Sequence, residues 1–244
     1  MASAPLIHPA QNRSGVPALS RQLLLVVAAA WDSQTAQLQR FARNTPRGEW
    51  RPVGLATPVS LGKSGLAWGR GLHSPASVNG RDKQEGDGCA PAGIFAITAL
   101  FGEAAPDSPL AHAARLPYLP ATPDLKAIDD PASAHYNRIV DQSSVAQPDW
   151  VSCEDMLRSD SRYAVGAVVA HNAEPPLPGA GSCIFLHVWA GEGVPTAGCT
   201  AMSLTVMSEI AGWLDAAAMP LLVQLPLLEY ARLRTPWGLP ALLA

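Results

Sequence analysis

The sequence is poor in charge. Its 17 Lys and Arg and 20 Asp and Glu make only 15% of 244 residues, with a net charge of -3. A chain without a basic excess builds no field for nucleic acid or for an anionic membrane, so neither is expected as a main partner. No apolar run reaches the ~18 to 20 residues that a membrane-spanning helix requires. No Cys-x-x-Cys pair occurs among Cys89, Cys153, Cys183 and Cys199, which removes the zinc-knuckle and thioredoxin-type readings. A thiol kept free for chemistry leaves an odd number, so no obligatory disulfide framework is expected. Internal repeats and low-complexity tracts are also missing. What is abundant is proline (23), glycine (20) and hydrophobic residues (48%), the composition of a sheet-rich single domain with many turns and large loops.

The pattern along the chain agrees. "RQLLLVVAAAWDS" reads as a buried first strand, Leu23 to Ala29, in preference to an export signal, because the apolar run follows a Pro-containing, weakly charged leader. "AQLQRFAR" is open between a short helix and half of a hairpin. "WRPVGLATPVSLGKSGLAWGRGL" predicts short strands and tight turns, and "AGIFAITALFG" a strand. Residues 103–160 are weakly periodic, and Tyr118, Tyr136 and Trp150 argue for an ordered excursion. "YAVGAVVAHN" and "SCIFLHVW" predict two buried strands. Leu204, Met207, Ile210, Ala211 and Leu214 lie on one helical face, with Ser203 as its cap, and "MPLLVQLP" predicts a last strand. The segment after it carries no assignment.

One stretch carries chemistry. "HVWAGEGVPTAGCT" holds an imidazole, His187, and a thiol, Cys199. A thiol near its free pKa of ~8.5 needs a base or a positive neighbour to act as a nucleophile. With Ser203 as the helix cap, Cys199 lies ahead of the first turn, where the dipole helps little, so activation falls to His187. Strand alternation puts Cys183, Phe185 and His187 on one face. Gly198 lets the chain turn tightly before the thiol, and the N–H groups of Cys199 and Gly198 are candidate oxyanion donors. On spacing alone two readings stay open: a catalytic pair, or a buried cysteine beside a hydrogen-bonded packing histidine.

The blocks "GLAWGRGLH", "KQEGDGCAPAGIFAI", "LPYLP", "YNRIVD", "VVAHN" and "GSCIFLHVWAGEGVPTAGCTAM" resemble, in order, those of the L,D-transpeptidase family with its YkuD-type catalytic domain. The resemblance implies a mostly β fold, an antiparallel β-sandwich with a helix after the catalytic Cys loop and long ordered loops. It implies an N-terminal extension over 1–21, a catalytic domain over 22–226 and a C-terminal tail over 227–244. By position Cys199 resembles the acylated nucleophile, His187 its base and Gly198 the oxyanion turn; "PAGIF" resembles a scaffold segment. The chain departs from many members. Only eleven residues separate His187 from Cys199, Ala197 precedes Gly198, and Thr200, Ala201 and Met202 follow the thiol where an Arg is common. The candidates for substrate contacts are Arg138 and His171 for a peptide carboxylate, Lys83 and Glu85 at the rim, Tyr136 and Trp150 as walls, and Trp189 beside the strand end; a loop-anchoring arginine, a packed histidine, ordinary loop charges and core aromatics are the alternative readings.

The activity so implied is cross-linking of peptidoglycan stem peptides through a cysteine thioester, with no metal or organic cofactor. The partners are stem peptides, and the chain is expected to be a monomer in the periplasm or cell envelope, contributing to cell shape. Trimming by water, exchange with a free D-amino acid and a wall-binding domain of weak activity are the alternatives. A papain-like peptidase is disfavoured, because there Cys precedes His in the chain.

Overall fold

A computed structural model describes residues 15–73 and 80–242. Residues 1–14, most of the expected N-terminal extension, and residues 243–244 of the tail lie outside the described residues. The strands are β1 (Gln22–Ala28), β2 (Thr35–Ala42), β3 (Arg51–Ser60), β4 (Leu66–Trp68), β5 (Ala90–Gly102), β6 (Tyr118–Pro120), β7 (Leu125–Ala127), β8 (Ile139–Asp141), β9 (Glu154–Asp155), β10 (Val165–Val169), β11 (Phe185–Val188), β12 (Thr200–Met202) and β13 (Leu221–Pro226). The helices are α1 (Pro109–Ala113), α2 (Leu204–Trp213) and α3 (Leu227–Trp237). "RQLLLVV" is a strand, and "AQLQRFAR" resolves as the second half of a hairpin with β1. Its buried positions alternate until a register shift between Leu38 and Arg40.

The sheet corrects one expectation. The strands form one closed, barrel-like sheet in the order β10-β11-β12-β3-β2-β1-β13-β5, with β5 pairing back to β10, not two stacked sheets. The reason is β5, thirteen residues long. Its first half pairs with β13 through Gly93 to Ala96, and its second half pairs with β10 through Ile97 to Gly102. One strand thus serves two neighbours and joins the edges that a sandwich would leave apart. Most pairings on this path are antiparallel, but β1–β13 and β11–β12 are parallel. Pro52 and Pro58 are tolerated in β3 because that strand meets β12 only at Ser60, which leaves most of its second edge unpaired.

The buried apolar side chains form two clusters. The larger holds Leu23, Leu25, Ile94, Ala167, Leu186, Val188 and Met202, closed by Met207 and Ile210 of α2 and by Tyr230, Leu233 and Trp237 of α3. Side chains of this size are each stabilised by about 1.5–3 kcal/mol on burial. Ser203 caps α2, its Oγ accepting the Val206 N–H at 3.3 Å, while Leu204 stays exposed. The smaller cluster lies at β11 on the side of Phe185, away from Leu186, and gathers Phe101, Phe185, Cys183 and Cys199 with Ala127, Met156 and Tyr163. Ala127 and Met156 belong to the 103–160 region, which is ordered around a three-stranded sheet, β8-β7-β9, and covers these side chains, and Tyr163 follows it in the short turn Ser161–Tyr163. All four cysteines are free.

Candidate active site

The parallel pairing of β11 and β12 places the chemistry. Leu186 lies opposite Thr200 and His187 opposite Ala201, so Phe185 lies level with Cys199, one residue before β12. Alternation then puts Cys199, Phe185 and His187 on one face, and Leu186 and Thr200 on the core face. The Phe185 N–H donates to the Cys199 Sγ at 3.3 Å, and the thiol donates to the Cys183 carbonyl at 3.6 Å. His187 Nδ1 lies 2.8 Å from the Val188 carbonyl. A carbonyl only accepts, so Nδ1 carries the proton and Nε2 keeps the lone pair that a base requires. The ring is also held edge-on by Tyr163, 5.4 Å between centroids.

The turn before the thiol is braced by a residue that spacing did not single out. Thr196 Oγ1 donates to the Cys199 carbonyl at 2.7 Å and accepts the Gly198 N–H at 3.1 Å. Its backbone is fixed too, donating to the Leu61 carbonyl and accepting from the Lys63 N–H. Gly198 has φ +156°, and a Cβ there would lie 3.1 Å from the Cys89 carbonyl, so glycine answers both to conformation and to a close approach. Beneath the turn, Thr200 Oγ1 donates to Gln224 Oε1 at 2.8 Å and Gln224 Nε2 donates to the Pro91 carbonyl at 3.0 Å. That chain of bonds ties the thiol's strand to β13 and β5 across the core.

Burial governs the charges. Cys199 is 8% exposed and His187 6%. Desolvation, with the Glu154 carboxyl nearby, pushes the thiol up to about 12, and desolvation, with Arg162 and Arg158 adding repulsion, lowers the imidazole to about 4. The resting pair is therefore a neutral thiol and a neutral imidazole, not a thiolate–imidazolium pair. Glu154 faces this cluster because it pairs with Ala127 across β7–β9, and it accepts the Tyr163 hydroxyl at 2.5 Å. Burial holds its carboxyl above the usual range.

The other candidates fall into two groups. Arg138, exposed, and His171 line a cavity of about 410 Å³ whose wall includes Cys183 and Phe185, the residues that touch the thiol. Within it His171 accepts the Arg70 N–H at Nδ1 (3.2 Å) and donates from Nε2 to the Ala180 carbonyl (3.0 Å), so both ring nitrogens have backbone partners. Burial lowers it to about 4. Lys83, Glu85 and Tyr136 instead knit loops together. Glu85 accepts the Tyr136 hydroxyl at 2.5 Å and the Ser182 hydroxyl at 2.7 Å, and Lys83 pairs with Asp87 at 2.6 Å. Trp189 is half-buried, its N–H on the Met202 carbonyl, and Trp150 packs edge-on against His135.

Several contributors had no readable pattern. Asn137, at φ +60°, joins the covering excursion to the site: its Oδ1 accepts the Cys183 N–H and its Nδ2 donates to the His171 and Asn172 carbonyls. Thr196 had one available clue, a hydroxyl two residues before a glycine, the spacing of a side-chain turn. Tyr163, Glu154, Arg158 and Arg162 reach the site only through the fold. No group of His, Cys, Asp and Glu among the described residues is arranged to hold a metal, and no helix among them is long and apolar enough to cross a membrane.

Compared with known proteins, the chain matches a family model, the YkuD L,D-transpeptidase catalytic domain, over residues 31–224. No curated protein and no solved structure matches it.

Proposed function

From the premise that the chain belongs to the L,D-transpeptidase catalytic-domain family, whose members are cysteine-dependent acyltransferases and peptidases of the cell wall, we propose that it cross-links peptidoglycan stem peptides through a Cys199 thioester. The observation that carries this reading is the β11–β12 register, which sets the imidazole and the thiol on one face with Nε2 unprotonated. In the first transfer the Sγ attacks a carbonyl of the donor stem. The Sγ–C bond forms, the C–N bond breaks, and His187 takes the thiol proton and passes it to the leaving amine. In the second, an acceptor amine attacks the thioester, His187 removes its proton, and the thiol is restored. With the Gly198 N–H held by Thr196, the Cys199 N–H is the proposed donor to the oxyanion.

The neutral resting pair suits this sequence, because the proton need move only when substrate displaces water and the carbonyl arrives. The cavity of about 410 Å³ beside Cys183 and Phe185 offers room for the donor peptide, with Arg138 at its rim, and the cover over the thiol favours an amine over bulk water. The proposed place of action is where the substrate lies, outside the cytoplasmic membrane in the periplasm or cell envelope.

Purified muropeptides incubated with the protein and with Cys199→Ala, with products identified by mass spectrometry, test this. Dimers that vanish in the variant are expected. Shortened monomers alone would replace transfer by hydrolysis, and no Cys199-dependent product would overturn the enzymatic reading.

A further inference from the structure

A pair of arginines stands beside the base with donors to spare. The short helical turn Ser161–Tyr163 packs on β11 and begins at Asp160, whose Oδ1 accepts the Arg162 N–H at 3.1 Å. Asp160 also gathers two guanidinium groups: Arg158 through Nε and Nη2, each 3.1 Å, and Arg162 through Nε and Nη2, 2.9 and 2.6 Å. Each arginine uses one edge on this carboxylate, and neither Nη1 has a hydrogen-bond partner among the described residues. Two cations share one anion at the fork, and the Glu154 carboxyl also acts on Arg158. Both side chains are part-exposed, 27% and 42%, so these donors face solvent while Asp160 fixes their geometry.

The fork has a definite place relative to the chemistry. The Arg158 guanidinium lies 5.2 Å over the Tyr163 ring, and the same ring packs against His187 at 5.4 Å. The charges of Arg162 and Arg158 both act on the His187 imidazole. In the acyl transfer the leaving amine must meet His187 to receive its proton. If the leaving residue is the last of its peptide, its carboxylate is attached to the same carbon as that amine. A terminal carboxylate therefore falls beside His187, where the fork stands. Thr200, Ala201 and Met202, the residues directly after Cys199, include no arginine to serve this purpose.

Resting on the acyl-transfer reading above, we propose that Arg158 and Arg162 form the anion subsite that binds the free terminal carboxylate of the donor's leaving residue, and so select stems that lose their last amino acid. In the reaction the Sγ–C bond forms, the C–N bond breaks, the proton travels through His187 to the amine, and the amino acid leaves with its carboxylate charge unchanged between the two Nη1 groups.

The test compares two donors that differ in one group, a stem peptide with a free C-terminal carboxylate and the same peptide amidated. Cys199 acylation is followed by intact mass and leaving-group release. The wild-type protein is expected to use the acid with kcat/KM about tenfold higher than the amide, the size of one charge-assisted bond at a part-exposed site. Arg158→Gln/Arg162→Gln should bring the ratio towards one, mainly through KM for the acid, and Arg162→Lys should keep part of it. Equal use of both donors by the wild-type protein, a result that needs no variant to fold, overturns the subsite and leaves the acyl-transfer reading standing. So does an unchanged ratio in the folded double variant. Absence of Cys199-dependent release from either donor overturns the acyl-transfer reading and the subsite with it.

Discussion

At the scale of single residues, the site depends on groups that hold the reacting atoms still. Thr196 does so with one hydroxyl, donating to the Cys199 carbonyl while receiving the Gly198 N–H. Thr196→Val keeps the shape but removes both bonds, so the turn loosens and the Cys199 N–H is no longer held where the developing oxyanion needs it. The expected result is a fall in kcat of about tenfold with a stability loss of about 1 kcal/mol, checked by muropeptide turnover and denaturant melts. A kcat equal to wild type would mean that the turn holds itself. Little of this was legible in advance. His187, Cys199 and Gly198 stand out because their chemistry is rare and their order in the chain is short-range. Thr196 resembles any loop threonine until Leu61 and Lys63 fix it from a strand end more than a hundred residues away.

Among elements, the informative relation is between the covering excursion and the strands beneath it. Asn137 is its clasp, with three hydrogen bonds to the chain around His171 and Cys183 and a left-handed φ of +60° that asparagine accepts better than most residues. Asn137→Ala should loosen residues 119–163 while the closed sheet stays intact. Hydrogen exchange should rise in β7, β8 and β9 but not in β1 or β13, and Cys199 should react faster with iodoacetamide as its burial is relieved. Uniform protection across the variant would show that the apolar contacts of Ala127, Met156 and Tyr163 suffice. The buried strands β1, β5, β10, β11 and β13 were readable from apolar runs bounded by turn residues, whereas β6 to β9 lie in a stretch too weakly periodic to show a strand. "AQLQRFAR" was not readable, since eight residues suit either period until pairing with β1 decides it. The segment 227–237 carried no assignment, although Tyr230, Leu233 and Trp237 keep a three-and-four spacing, and it is a helix despite Pro236 within it, those three side chains being buried in the core.

For the whole molecule, burial of imidazoles links folding to pH. His73, His171 and His187 are each lowered from 6.5 to about 4, burial being the main cause. His73 and His171 each accept a backbone N–H at Nδ1, so a proton added there would face a donor. The unfolded chain takes up these protons near pH 6.5 and the folded one only near 4. Stability is therefore full above 6.5, declines as pH falls through that window, and is lowered by about 3 kcal/mol per imidazole by pH 4. Denaturant midpoints measured from pH 7.5 to 4 should fall across this range, and His73→Phe, if it folds, should flatten the slope. A flat profile would remove the linkage. The residue pattern alone determined that the chain is sheet-rich, that Phe185 and His187 share a face, and that a glycine turn precedes the thiol, because alternation and turn conformation are local properties of a few neighbouring residues; Cys183, with φ +53°, lies before β11 and outside that alternation. Closure of the sheet through β5, the parallel register that sets Cys199 level with Phe185, the cover over the thiol and the arginine fork beside His187 were decided by the tertiary structure, because each joins residues far apart in the chain whose contacts no local rule specifies.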